Sequence, residues 1–227
     1  RKGDKLPFPR VFLRMKNSCI NHVIWDWNGT LVNDAHLCVE IVNEILCDRE
    51  LPTVRQEDYR ECFDFPVSIY YKRLGLPASG PVFEEISHHF IEEYHSRWTC
   101  CNLQPEVRET IRALASASVG QSLLSAGKKE HVEIFVEHHD LHGYFSSVSG
   151  ATNIFAEGKV ELGRRHVGKL GLEPSECLMV GDTLHDYDVA QAIGAECLLF
   201  SGGHHSEQRL LESGAAVIAC LSEVSAR

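Results

Sequence analysis

Hydrophobic and polar positions follow two different rhythms along this chain. Ile20 to Asp26 is a short apolar run, read as one buried strand. From about residue 34 to 100 the apolar positions recur at helical spacing and no strand pattern appears. Leu37, Ile41 and Ile45, with Val42 and Leu46, predict a helix opening near Asp34, a good capping residue, and stopped by Leu51-Pro52. Further helices are expected over Arg55 to Phe63, Pro66 to Leu74 and Val82 to Trp98. From Pro105 onward helix and strand alternate. The expected helices run through Val107 to Leu114, Lys128 to His138, Gly158 to Leu170, Asp186 to Ile193 and Ser206 to Glu212. Between them stand strands at Val119 to Ser125, Phe145 to Val148, Leu178 to Val180, Glu196 to Phe200 and Val217-Ile218.

Alternation of this kind implies right-handed crossovers and a parallel sheet covered on both faces. The predicted fold is therefore α/β, a three-layer doubly wound parallel sheet with a small four-helix insert. Residues 1–33 and 101–227 form the core domain and 34–100 the helical cap domain. Residues 1–14 are basic and proline-containing, without an apolar stretch or small-residue cleavage site, and read as a tail rather than a secretory leader.

Composition narrows the function classes. With 227 residues the chain can bury a full core. Its hydrophobic share of 44% and charged share of 24% are ordinary for a globular enzyme, and no apolar run nears the ~20 residues that span a bilayer. A formal charge of -10 without a Lys/Arg stripe disfavours nucleic acid as a partner. The nine cysteines are odd in number, scattered and free of CxxC pairs, which points to a reducing cytoplasm and to packing roles for Cys177 and Cys197. The pairs His88-His89, His138-His139 and His204-His205 lack the i, i+4 spacing of a helical metal site and are expected to be solvated. Trp25 and Trp27 flank Asp26, one expected in the core and one facing the insert.

Candidate chemistry gathers at predicted strand ends, where ligands bind on such sheets. Asp26 stands where a buried strand breaks into Trp27-Asn28-Gly29-Thr30, a good place for a nucleophile or metal ligand. Ser125 follows Leu123-Leu124, Lys159 lies in Glu-Gly-Lys, and Asp182 and Asp186 lie in Gly-Asp-Thr-Leu-His-Asp after another apolar run.

These four segments, in this order, resemble the motifs of the haloacid dehalogenase superfamily, over nearly everything from residue 19 to the end. The resemblance implies a phosphatase of small phosphorylated metabolites, phosphoglycolate phosphatase-like, monomeric or homodimeric, that works through an aspartyl-phosphate. It implies Asp26 as nucleophile and metal ligand, Asp182 as the second side-chain ligand, and the Asn28 carbonyl as a further ligand. Asp186 would orient Asp182 or a metal-bound water. Magnesium is the implied ion, since it takes carboxylate and water oxygens. Ser125 and Lys159 would stabilise the transferring phosphoryl group, with Lys159 also holding Asp26 ionised.

One position departs from the pattern. Related phosphatases place an acid-base aspartate two residues after the nucleophile, and this chain has Asn28. An amide does not exchange protons at neutral pH, and loss of general acid-base help costs about 10²- to 10⁴-fold. Three outcomes are open: a slower phosphatase, a preference for leaving groups that need no proton, or a phosphoester-binding protein without turnover. Specificity would come from insert residues such as Phe65, Tyr70, Tyr71, Lys72 and Arg73.

Overall fold

A computed structural model of the protein describes residues 20–151 and 159–224. The basic tail, Gly158 and the rest of the segment before Lys159 lie outside the described residues. The first strand, β1 (His22–Trp25), is followed by the helices α1 (Ala35–Cys47), α2 (Gln56–Cys62), α3 (Val67–Arg73) and α4 (Gly80–Arg97) before any further strand. The chain continues as α5 (Val107–Ser116), β2 (Gly120–Lys128), α6 (Lys129–His138), β3 (Val148–Ala151), α7 (Lys159–Leu170), β4 (Cys177–Gly181), α8 (Leu184–Ile193), β5 (Glu196–Phe200), α9 (Glu207–Leu211) and β6 (Ala216–Ile218).

The six strands form one sheet in the order β3-β2-β1-β4-β5-β6, and every pairing is parallel. The chain winds outward from β1 through β2 to β3, then returns beside β1 with β4 and winds outward the other way. This makes the β1/β4 boundary a topological switch point, where the crossovers leave a crevice beyond the strand ends.

The apolar strands divide their side chains between two cores because successive residues point to opposite faces. Val23, Trp25, Leu123, Leu178, Val180, Leu198 and Phe200 join one cluster with residues of α1, α5 and α6. Ile24, Leu124, Cys177, Met179, Cys197 and Leu199 join the other with residues of α7, α8 and α9. Helices thus cover both faces, as the continuous apolar strands require. Cys177 and Cys197 are buried packing residues.

Several local expectations need correction. The third strand lies at Val148–Ala151, later than Phe145 to Val148, because the hydrophobic pair Tyr144-Phe145 is used at a short turn that precedes it. Strand β2 runs past Ser125 to Lys128, and its pairing with β3 shifts register between Leu124 and Lys128. Trp25 and Trp27 are both fully buried. Trp25 Nε1 donates to Gln121 Oε1 at 3.0 Å, while Trp27 stacks on Phe135 of α6 and so faces a core helix rather than the insert. Asp34 precedes α1 but makes no side-chain cap; its carboxylate is turned toward the loop after β1.

Candidate active site

The loop after β1 is closed by its own backbone and held against the neighbouring strands. Asp26 N donates to Val180 O at 2.9 Å, which extends the β1/β4 pairing one residue past the strand and fixes the Asp26 side chain at the switch point. Leu31 N and Val32 N both donate to Trp27 O, and Gln104 Nε2 donates to Gly29 O at 2.9 Å. Gly29 has φ +76°, and a Cβ there would overlap Asp182 Oδ2 and His204. Only glycine lets the turn bend this way and lie this close. Gly203 meets the same limit from the other side, since a Cβ on it would also overlap Asp182.

On this frame Asp26, Asp182 and Asp186 converge, with one oxygen from each lying within 4.8 Å of the others. Thr30 Oγ1 donates to Asp182 Oδ1 at 2.8 Å and lies 3.4 Å from Asp26 Oδ2. Lys159, at the first position of α7, forms ion pairs with both Asp26 and Asp186. All four charged groups are buried. Asp186 is further fixed by a capping box at the start of α8, where its Oδ2 accepts from Thr183 N at 3.0 Å and Thr183 Oγ1 at 2.7 Å. Ser125 sits in the irregular part of β2, buried, and its Oγ accepts from Gly127 N at 3.0 Å.

Charge balance sets the electrostatics. Burial raises the Asp26 pKa to about 8, against the pull of Lys159 and with help from Asp186 and Asp182. Burial also raises Asp182, to about 6, opposed by the positive charge of His204 and reinforced by Asp186. Asp186 moves the other way: burial is outweighed by the Lys159 charge and by hydrogen bonds from Lys159 and Thr183. Lys159 is held protonated by Asp186 and Asp26 despite its burial. The upward shifts of Asp26 and Asp182 show that the site disfavours ionising all of its carboxylates beside the single Lys159 ammonium. An added cation would relieve this, and an oxygen-only donor set suits a hard divalent ion such as magnesium.

A second group of residues, behind Asn28, was not foreseen as part of the site. The buried carboxylate of Asp34 accepts from Gly29 N at 2.8 Å, Asn28 Nδ2 at 2.7 Å and Tyr94 Oη at 2.7 Å. His204 Nε2 lies 3.3 Å from Asp34 Oδ1, its Nδ1 is 2.8 Å from Tyr59 Oη, and its backbone N–H donates to Asp182 Oδ2 at 2.6 Å. Burial alone would lower the His204 pKa, but Asp34, Asp182 and Asp26 raise it to about 9. Asp34 is correspondingly held low: burial is outweighed by His204 and by hydrogen bonds from His204, Asn28 and Tyr94. The expectation that His204-His205 is solvated is therefore wrong, since both are buried, and so is His139; His88, His89 and His138 are exposed. The available signal was Gly202-Gly203-His204 directly after a strand, a turn tight enough to carry a ring into the crevice.

Of the insert residues named for specificity, Tyr70 and Tyr71 are buried packing residues, Lys72 is exposed, and Arg73 is tied to Asp64 and Cys62 O. Phe65 packs beside His185 of α8, with ring centroids 5.2 Å apart.

This fold and constellation define a class, and residues 23–200 match the family model for haloacid dehalogenase-like hydrolases. The chain belongs to that family. It is 23% identical over 191 residues to a phosphoglycolate phosphatase from Synechococcus elongatus, spanning 83% of this chain and 87% of the relative. It is 24% identical over 204 residues to a phosphoglycolate phosphatase from Pseudomonas syringae pv. tomato, covering 86% and 75%. A haloacid dehalogenase-like hydrolase from Streptococcus pneumoniae shares the fold with a TM-score of 0.78 at 18% identity, over 90% of this chain and 96% of that one. Among the described residues no helix is long and apolar enough to cross a membrane.

Proposed function

We propose that this protein is a magnesium-dependent phosphatase of small phosphorylated metabolites that works through an aspartyl-phosphate on Asp26. The observation that carries the reading is the convergence of Asp26, Asp182 and Asp186 with Lys159 at the switch point of the sheet. Asp26 is the nucleophile, fixed by its backbone bond to Val180 and by Thr30. Asp26, Asp182 and the Asn28 carbonyl would hold the ion, with Asp186 positioned beside them. The ion would favour the ionised carboxylates and allow an anionic nucleophile to meet an anionic phosphate. Lys159 and the Ser125 hydroxyl would donate to the phosphoryl oxygens, where a loose transition state spreads its charge. Helices α1 to α4 would act as a cap that excludes water and brings Tyr94 to the site.

Hydrolysis of p-nitrophenyl phosphate with magnesium and with chelator, by the wild type and Asp26→Asn, tests this. Turnover that needs both magnesium and Asp26 is expected. Activity that survives Asp26→Asn would contradict the mechanism, and a silent wild type that still binds phosphate would favour the non-catalytic reading.

A further inference from the structure

We propose that this site is selective for phosphoryl donors whose leaving group departs as a stable anion, an acyl phosphate or a phosphoanhydride, rather than an alkyl phosphate ester. The inference rests on the phosphatase reading and names the substrate class of that same site.

The orientation of Asn28 carries it. Asp34 is ringed by the Gly29 N–H, the Tyr94 hydroxyl and the His204 ring, so an ionised, acceptor-only carboxylate faces Asn28. The Asn28 amide must therefore turn its NH₂ group toward Asp34. Its Nδ2 then lies 2.7 Å from Asp34 Oδ2 and 2.8 Å from Tyr94 Oη, so the amide nitrogen is turned to the Asp34 side. What remains is Oδ1, which faces the Gly127 region beside Ser125: a Cβ on Gly127 would lie 3.8 Å from Asn28 Oδ1 and 3.2 Å from Ser125 Oγ. The side chain at this position thus turns its acceptor oxygen toward Ser125 and its nitrogen toward Asp34, and an amide has no acidic proton to give a leaving group.

The residues behind Asn28 do not make up the loss. The Tyr94 hydroxyl hydrogen is committed to Asp34, and the two His204 ring nitrogens are engaged with Asp34 and Tyr59. Lys159 spends two of its three N–H bonds on Asp26 and Asp186, and the proposed function directs the third to the transferring phosphoryl oxygens.

The chemistry then balances only for a leaving group that needs no proton. An Asp26 carboxylate oxygen forms the new bond to phosphorus, and the bond from phosphorus to the leaving oxygen breaks. The leaving group takes the electron pair and departs as a carboxylate or a phosphate. An alkoxide would depart far less readily without a proton. In the second half, water attacks the phosphorus of the aspartyl-phosphate. The bond to Asp26 breaks, Asp26 is regenerated as carboxylate, and the water protons leave with inorganic phosphate and solvent. Asn28 Oδ1 accepts a hydrogen bond from that water and orients it.

The test is a leaving-group series with the intact protein: p-nitrophenyl, phenyl and alkyl phosphates, with acetyl phosphate and pyrophosphate as the two donor classes. For the wild type, kcat/KM should fall by about 10²-fold or more from p-nitrophenyl to phenyl phosphate, the size of missing acid help. Either acetyl phosphate or pyrophosphate should be turned over far faster than any alkyl ester, and the faster one identifies the source. Asn28→Asp should raise the phenyl phosphate rate selectively and narrow the gap. A flat profile in the wild type would overturn this inference alone. Silence on every donor would overturn the phosphatase reading and this inference with it.

Discussion

His204 carries its charge without exposure to water, so Asp34 beside it matters for stability as well as for the site. Removing one partner of a buried pair leaves an uncompensated charge, at a cost of about 3–5 kcal/mol. Asp34→Asn should therefore lower the urea midpoint at pH 7 markedly; an unchanged midpoint would show that the pair does not hold the loop. Gly203→Ala should damage the site in another way, because the new Cβ would displace Asp182. It should weaken magnesium-dependent activity far more than a similar change at Gly168, where a Cβ meets nothing within 4 Å. At this scale the sequence was informative where chemistry is local. Asp26, Asp182 and Lys159 stand in short segments with glycine and strand context, and the structure brings them together. It was uninformative for Asp34, and for His204 it offered only the glycine turn after a strand, not the buried ring. They are 170 positions apart, and an aspartate before a helix reads as a cap and a histidine pair as solvent. Only tertiary contact turns them into one ion pair behind Asn28.

The elements were legible because each of the two periodicities holds over long stretches. All four helices after β1 appear, and every strand of the sheet is present. The misplaced third strand shows the limit: Phe145 and Val148 are both apolar, and which of them enters the sheet depends on pairing with β2, where Leu123 takes Val148 as its partner. Elements are also stitched by polar groups within the core. His166 of α7 lies 2.8 Å from Ser122 of β2 and from Ser149 of β3, and His22 of β1 lies 2.8 Å from the same Ser122. Burial lowers the His166 pKa to about 4, aided by His22 and Lys169, so the ring is neutral in the folded protein. Its unfolded form takes up a proton near pH 6.5 while the folded form does not. The stability tied to it is present above that pH and lost as pH falls toward 4. Between pH 7 and pH 5 this histidine alone should remove about 2 kcal/mol of unfolding free energy. Urea titrations of wild type and His166→Gln, which keeps polar bonding but does not titrate, should show a shallower pH slope in the variant. Equal slopes would place the acid sensitivity elsewhere.

For the whole molecule, the winding of the sheet outward from β1 in both directions gathers distant segments at one crevice. That gathering concentrates three carboxylates where burial already disfavours charge. A bound cation should relieve this, so magnesium should raise the Tm of the wild type and have little effect on Asp182→Ala, as a ligand that binds only the folded state requires. The most direct measurement of the central claim is the position of the phosphoryl group during turnover. Acid quench after mixing with p-nitrophenyl phosphate and magnesium, followed by peptide mass analysis, should find a hydroxylamine-labile phosphoryl group on Asp26. Turnover with Asp26 unmodified, or with the group on another residue, would contradict it.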